Sequence, residues 1–366
     1  MRRDKAQART PRAPFRGVVA CYHYVMQDPV LTFTDRGLFC QDGGFHIDPW
    51  RPVERALITH GHSDHARPGH GAYLATHQAL PVIRHRLGEI RAEGIAYGET
   101  RQIGGVKVSF HPAGHVPGSA QIRIERGGEV WVVSGDYKVA DDGLSEPFAP
   151  IRCDTFITEC TFGLPLFRWE SQDMIADQIA RWWAEAQSEG RTPVLAAYGL
   201  GKAQRLISML PALGPILTHG AVEETTRILR DQGYAIPSTT RVTPEISAKT
   251  HPGALVIAPP SALGSKWAAR FGPTTEAFAS GWMALRGIRR RRGLGQGFTI
   301  SDHADWPGLN AAIKATGATR VFATHGYTTP FRRWLEEQGY EAGIVSTEYG
   351  ADDVDDALPN GPMDAG

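Results

Sequence analysis

The chain has 366 residues, 42% of them hydrophobic, with 41 glycines and 25 prolines, which is enough for one large or two ordinary loop-rich globular domains. No apolar run approaches the eighteen or more residues of a membrane span, and "GVVACYHYVM" is too short and polar for a secretory core, so a cytoplasmic protein with no membrane partner is expected. Four cysteines (Cys21, Cys40, Cys153, Cys160) without a CxxC pair fit a reducing compartment better than a disulfide framework, and a net charge of zero leaves room for local polyanion sites.

Residues 1–25 open on "MRRDKAQARTPRAP" and read as a basic, disordered extension. Between 32 and 48 short apolar runs alternate with Gly and Asp, and 53–59 reads as a buried strand. A second strand is expected over 106–110, and "AQIRIERGGEVWVVSG" is a hairpin turning at Gly127 and Gly128. From about Leu166 the pattern changes. "QDMIADQIARWWAEAQSEG" has helical spacing and a Gly stop, and strand "TPVLAAY", helix "GKAQRLISML", strand "PILTH", helix "AVEETTRILRDQG" and strand "GALVIAP" follow. Such alternation implies a parallel sheet with covered faces. The arginine-rich "RGIRRRRG" comes next, then strand "FTI", helix "PGLNAAIKATG", strand "TRVFAT" and helix "TPFRRWLEEQG". Residues 349–366 are acidic and expected to be disordered.

The most informative stretch is "ALITHGHSDHARPGHG" at 56–71. His60 and His62 stand one residue apart at a strand's end, where extended backbone sends both side chains to one side, and Asp64 and His65 follow on the turn. Neutral imidazole and carboxylate are what zinc and similar ions favour, and two such ions about 3.5–4 Å apart can share a hydroxide whose pKa falls to about 7. One turn cannot close two coordination shells, so more ligands are required at the ends of later strands. His115, Asp136 and His325 stand there, and Asp48 is suited to hold a ligand imidazole by its other nitrogen. His70, His77 and His85 are surplus to both shells.

"THGHSDH", "AGHVPGSA" and "SGDYK" resemble the metal motifs of the metallo-β-lactamase fold, in the versions used by its β-CASP nuclease branch. Glu159 in "FITECTFG", His303 in "ISDHAD" and His325 in "THG" match the residues that flank the inserted domain of that branch. "IDPWRPVERALITHGHSDHARPG", "YGLGKAQRL", "ASGWMALRG" and "SDHADWPGL" are similar to phrases of bacterial exonucleases associated with DNA ligase. The resemblance implies an α/β protein: a four-layer αββα metallo-β-lactamase domain formed by 26–165 and 296–348, with an α/β β-CASP cap inserted at 166–295. It assigns His60, His62 and His115 to one divalent ion, Asp64, His65 and His325 to a second, and Asp136 to the bridge, with zinc the first choice of metal and manganese the second.

The implied activity is exonucleolytic cleavage of DNA, as single strands or duplex ends, in repair, in functional association with a ligase and other repair enzymes. Asp64, Glu159 and His303 would be its catalytic residues. His303 would contact the scissile phosphate or protonate the leaving oxygen; its alternative is a helix-start residue whose neighbours Ser301 and Asp305 cap the helix. Lys202, in a loop that is not a Walker sequence, and Ser301, Arg286, Arg289 and Arg290 are candidates for substrate phosphates, with a tight turn and a solvated basic face as the alternatives for the lysine and the arginines. Trp267, Trp282 and Phe271 are either base-stacking or core residues. Two rival activities remain open: a ribonuclease of the same branch, suggested by the histidine at 325, and a small-molecule metallo-hydrolase.

Overall fold

The computed structural model describes residues 29–291 and 295–345, with the side chains of 289–291 outside that description. The expected extension at 1–25, the acidic tail at 349–366 and the side chains of Arg289 and Arg290 therefore lie outside the described residues.

Short strands build the first sheet in chain order: β1 (Thr32–Thr34), β2 (Gly37–Cys40), β3 (Phe45–Ile47), β4 (Arg55–Leu57), β5 (Ala72–Thr76) and β6 (Ala92–Ile95). The first three are antiparallel, and β3 to β6 run parallel. Helix α1 (Leu80–Leu87), with Pro81 in its first turn, packs Leu80 and Ile83 beside Val53, Ile58 and Tyr73. A second sheet begins as an antiparallel meander of β7 (Thr100–Ile103), β8 (Val106–Pro112), β9 (Ala120–Arg126) and β10 (Glu129–Val133), to which β11 (Thr155–Cys160) adds in parallel. Arg126 pairs with Glu129 across a Gly127-Gly128 turn with φ of 57° and 92°, values that glycine adopts without steric cost in a two-residue hairpin loop. The two sheets share a core in which Leu38, Phe45, Ile47, Leu57 and Leu74 lie with Val108, Phe110, Ile122, Ile124 and Ile157.

After β11 the chain alternates helix and strand: α2 (Gln172–Ser188), β12 (Thr192–Ala196), α3 (Lys202–Met209), β13 (Ile216–Thr218), α4 (Gly220–Asp231), β14 (Thr240–Arg241), β15 (Leu255–Ala258), α5 (Lys266–Ala269), β16 (Thr274–Ala279), α6 (Arg286–Arg291) and β17 (Gln296–Phe298). These strands form a third, wholly parallel sheet in the order β14-β13-β15-β12-β16-β17. In α2 the helical period places Ile175, Ile179, Trp183 and Ala186 on one buried face, and Ser171 Oγ accepts from the Met174 amide to start the helix. The strand expected from "FTI" begins earlier and pairs with β16, three residues past the expected end of the inserted segment. Phe298 and Ile300 both join the core of the third sheet, which holds the chain there before it leaves. Helix α7 (Trp306–Thr316), β18 (Arg320–Gly326), α8 (Thr328–Glu337) and β19 (Glu341–Ile344) then return to the second sheet, completing the order β19-β18-β11-β10-β9-β8-β7. Leu309, Ile313, Phe331 and Leu335 of α7 and α8 pack with Val132, Phe156 and Val321 of that sheet.

Val82 of α1 and Val116 are buried in the same cluster as Leu195, Leu200 and Leu206, so the loop leaving the carboxyl end of β12 meets the first two sheets where their metal-motif loops emerge. Among the described residues no helix is long and apolar enough to cross a membrane.

Candidate metal centre

Each candidate ligand is delivered by the end of a strand or the turn after it. His60, His62, Asp64 and His65 follow β4, His115 follows β8, Asp136 follows β10, and His325 is the penultimate residue of β18. Two groups of donor atoms result, His60, His62, His115 and Asp136 in one, and Asp64, His65 and Asp136 in the other.

In the first group His60 Nε2 lies 3.0 Å from His62 Nδ1, which lies 3.1 Å from His115 Nε2. Asp136 Oδ2 is 3.5 Å from the first of these nitrogens and 3.7 Å from the third. Donors about 2.0–2.1 Å from a tetrahedral ion stand roughly 3.3 Å apart, so these spacings suit one ion. The proton inventory makes the same point. Leu200 carbonyl accepts from His62 Nε2 at 3.2 Å, and Asp302 carbonyl accepts from His115 Nδ1 at 2.8 Å. Thr59 donates its hydroxyl to Asp48 Oδ2 (2.6 Å), which leaves its oxygen to accept from His60 Nδ1 (3.1 Å). With their outer nitrogens protonated, the neutral rings turn three lone pairs inward, a repulsive arrangement that a cation relieves. Burial, the main cause, holds His60 and His115 well below the ordinary imidazole pKa and lowers His62, so the neutral, ligating form is favoured.

The second group shares the same Asp136 oxygen. His65 Nε2 is buried without a hydrogen-bond partner and lies 3.4 Å from both Asp64 Oδ2 and Asp136 Oδ2. Its Nδ1 donates to Asp48 Oδ2 at 2.8 Å, and Asp48 is anchored in turn by the Thr59 amide at 2.8 Å. Burial opposes protonation of His65, but the surrounding Asp136, Asp64 and Asp48 carboxylates outweigh it and raise its pKa. The His325 ring stacks on that of His65 at 5.1 Å between centroids, and both residues line a small cavity with Asp48 and Asp64. Asp48 and His325 are the two non-glycine residues with positive φ among those described, 43° and 50°. Such backbone costs of order 1–3 kcal/mol and persists where surroundings enforce it; here Cys160 Sγ donates to the His325 carbonyl at 3.0 Å.

Glu159, fully buried, holds His303 Nδ1 through both carboxylate oxygens (3.0 and 2.9 Å) and accepts the Tyr137 amide at 2.8 Å. The His303 ring stands 4.6 Å from that of His115, and Asp136, Glu159 and His303 form a third set of neighbouring donors. Ser301 and Asp305 serve backbone amides: Ser301 Oγ accepts from His303 N, and Asp305 caps α7 through Gly308 N. Lys202 is only 4% exposed. It turns inward, its Nζ 3.8 Å from Asp302 Oδ2 and 4.8 Å from the Tyr198 ring centre. Arg286 is exposed on α6. Phe271 and Trp282 are buried in separate apolar clusters, and Trp267 is half-buried against Phe271, so of the three aromatics considered for base stacking two are core residues. Sequence reasoning passed over Thr59, whose hydroxyl ties Asp48 to His60, and Arg205. A threonine beside a ligand and an arginine on a helix that also carries Lys202, Gln204 and Ser208 give no spacing signal.

Two face-to-face sheets whose strand ends gather this histidine and aspartate cluster define a metallo-β-lactamase fold. The chain belongs to the β-CASP branch of that fold. It is 31% identical over 316 residues, 85% of its length, to a protein of Opitutus terrae named a probable DNA ligase, of which the match covers 31%. It is also 31% identical over 149 residues to ribonuclease TTHA0252 of Thermus thermophilus, covering 32% of this chain and 34% of that protein, and 28% identical over 134 residues to an RNase J-like protein of Methanocaldococcus jannaschii, covering 35% and 31%. The chain thus spans about a third of the length of these relatives. A crystal structure of a protein of unknown function from Enterococcus faecalis matches with a TM-score of 0.53 and 11% identity over 81% of this chain and 80% of that one, a likeness of fold alone. No family model matches the chain.

Proposed function

We propose that the protein is a two-metal phosphodiesterase that cleaves DNA, an exonuclease acting in cytoplasmic DNA repair. The observation that carries this reading is the convergence of ring nitrogens of His60, His62 and His115 on one side of Asp136 Oδ2 and of His65 Nε2 and the Asp64 carboxylate on the other. His60, His62 and His115 would hold one divalent ion, Asp64, His65 and His325 the second, and Asp136 both, with zinc the first choice and manganese the second. When bound, such a pair supplies Lewis acidity and an acidified water for in-line attack on phosphorus. The chain's own residues do the rest. Asp48, Thr59, Leu200 and Asp302 fix the ligand rings, and Glu159 fixes His303 for contact with a phosphate oxygen or protonation of the leaving oxygen. We place the arrangement in a four-layer αββα body, with the third-sheet unit, which runs on to Phe298 of β17, inserted as a cap.

DNA is preferred as substrate because the relative named for DNA matches across 85% of the chain, third sheet included, whereas the ribonuclease-named relatives match 32–45% of it. A match lying within a longer ligase-named chain also supports work beside a DNA ligase. Elemental analysis of purified protein should find two divalent ions per chain, and fully active enzyme with one ion or none would overturn the mechanism.

A further inference from the structure

Two of the three histidines in the first donor group are held by the segment that enters α3, or by the residue that segment grips. Leu200, at the carboxyl end of the β12 loop, accepts from His62 Nε2 at 3.2 Å. Asp302 accepts from His115 Nδ1 at 2.8 Å through its carbonyl. The Asp302 carboxylate is gripped from α3, with Arg205 Nη1 at 3.3 Å and Lys202 Nζ at 3.8 Å. Arg205 Nη1 also donates to the Ser301 carbonyl (2.8 Å), and its Nε donates to Gln172 Oε1 (2.7 Å) at the start of α2. Gln172 Nε2 donates onward to the Asp142 carbonyl (3.1 Å). Arg205 is 5% exposed and Asp302 4%, so this is a buried ionic junction and not a surface pair. Gly201 packs so closely on Val116, the neighbour of His115, that a Cβ there would overlap it, and its φ is +84°. The loop has no slack.

We propose that the segment from Leu200 to Arg205 is a strut coupling the third-sheet unit to the first ion position: Leu200 fixes His62, and Arg205, acting through Asp302, fixes His115. Arg205 is a positioning residue. Partners of this kind typically change metal affinity by 10- to 100-fold when removed. Coupling is reciprocal, so an ion at the first position must tighten the attachment of the third-sheet unit by the factor through which that attachment tightens the ion. Substrate gripped between the units would then retain the ion that acts on it. This inference rests on the two-metal reading above.

The test is calorimetric titration of chelator-stripped full-length protein with Zn²⁺. Wild type should take up two ions. Arg205→Met should weaken one of them by roughly 10- to 100-fold while leaving the other unchanged, and Arg205→Lys should recover part of that affinity. A wild type that binds no ion would overturn the two-metal reading itself; a wild type that binds two and a folded Arg205→Met that matches it would overturn the strut alone. Hydrogen exchange on unaltered protein supplies a second measurement should the variant fail to fold. Zn²⁺ should slow exchange of amides at 202–206 relative to stripped protein, with those of α8 as the reference, and equal exchange at 202–206 in both states would contradict the coupling.

Discussion

Asp136 Oδ2 stands 3.5 Å from His60 Nε2 and 3.4 Å from His65 Nε2, so one oxygen serves both donor groups. Burial would raise the pKa of this carboxyl, but His65 and His303, with His60 beside them, hold it well below the usual range. The imidazoles set the acid limit of the metal-free protein. Burial lowers the pKa of His60, His62, His115 and His325, so below about pH 6.5 the unfolded chain binds more protons at these positions than the folded one. Their contribution to stability is present above that pH and is lost on acidification. His65 has the opposite sign, since its raised pKa gives stability below about 6.5 that is lost as pH rises through the folded value. Four against one, the urea midpoint of stripped protein should fall between pH 7 and pH 5; a midpoint that rises would contradict these assignments. Replacing His303 by alanine should lower kcat about 10²- to 10⁴-fold, as expected for a proton-transfer group, with two ions retained. Release of an ion instead would make His303 a ligand with Glu159 and Asp136. The histidines and aspartates were legible in sequence because metal chemistry demands those residue types at strand ends. Asp48, which holds His65, was legible with them, but the other groups that set the tautomers were not: Thr59 carries no spacing signal, and two are backbone carbonyls that any residue could supply.

At the scale of elements, periodicity placed α2, α3, α4, α7, α8 and the Gly127-Gly128 hairpin, since each has one apolar face or a turn with a defined chemistry. It missed β16, whose "TTEAFA" mixes polar and apolar residues because only its later half is buried, and β19, a short edge strand of partly exposed residues. The end of β18 matters most for the site. Gly326 follows His325 with φ of +85°, and a Cβ there would overlap the Thr161 and Cys160 backbone. Backbone cannot swing aside as a side chain can, and a non-glycine residue at such φ costs roughly another 1–2 kcal/mol. Gly326→Ala should therefore lower the denaturant midpoint and weaken one of the two ions by displacing His325. Wild-type stability and stoichiometry in that variant would show that the β18 end does not position the ligand.

Across the whole molecule the site lies where loops from two packed sheets meet the carboxyl ends of a third, parallel one, which is where ligands gather on open α/β sheets. Net charge is zero, so attraction for a polyanion must be local, and "RGIRRRRG" is the strongest concentration of cations in the chain. Replacing the arginines of 289–292 by alanine should flatten the salt dependence of single-strand binding by about 0.7 in log–log slope for each phosphate that is no longer neutralised. An unchanged slope would assign the run to a solvated surface. The choice of sugar must be made near the ribose, where a protein reads the 2′-hydroxyl, and not at the metal ligands. The direct measurement is digestion of end-labelled DNA and RNA strands of matched sequence, with Zn²⁺ or Mn²⁺ added to chelator-stripped wild type and to Asp64→Ala. Metal-dependent release of nucleotides from DNA ends, faster than from RNA and abolished in the variant, is the expected result. Equal or faster cleavage of RNA would make the protein a ribonuclease, and full activity in Asp64→Ala would remove the two-metal centre from the chemistry.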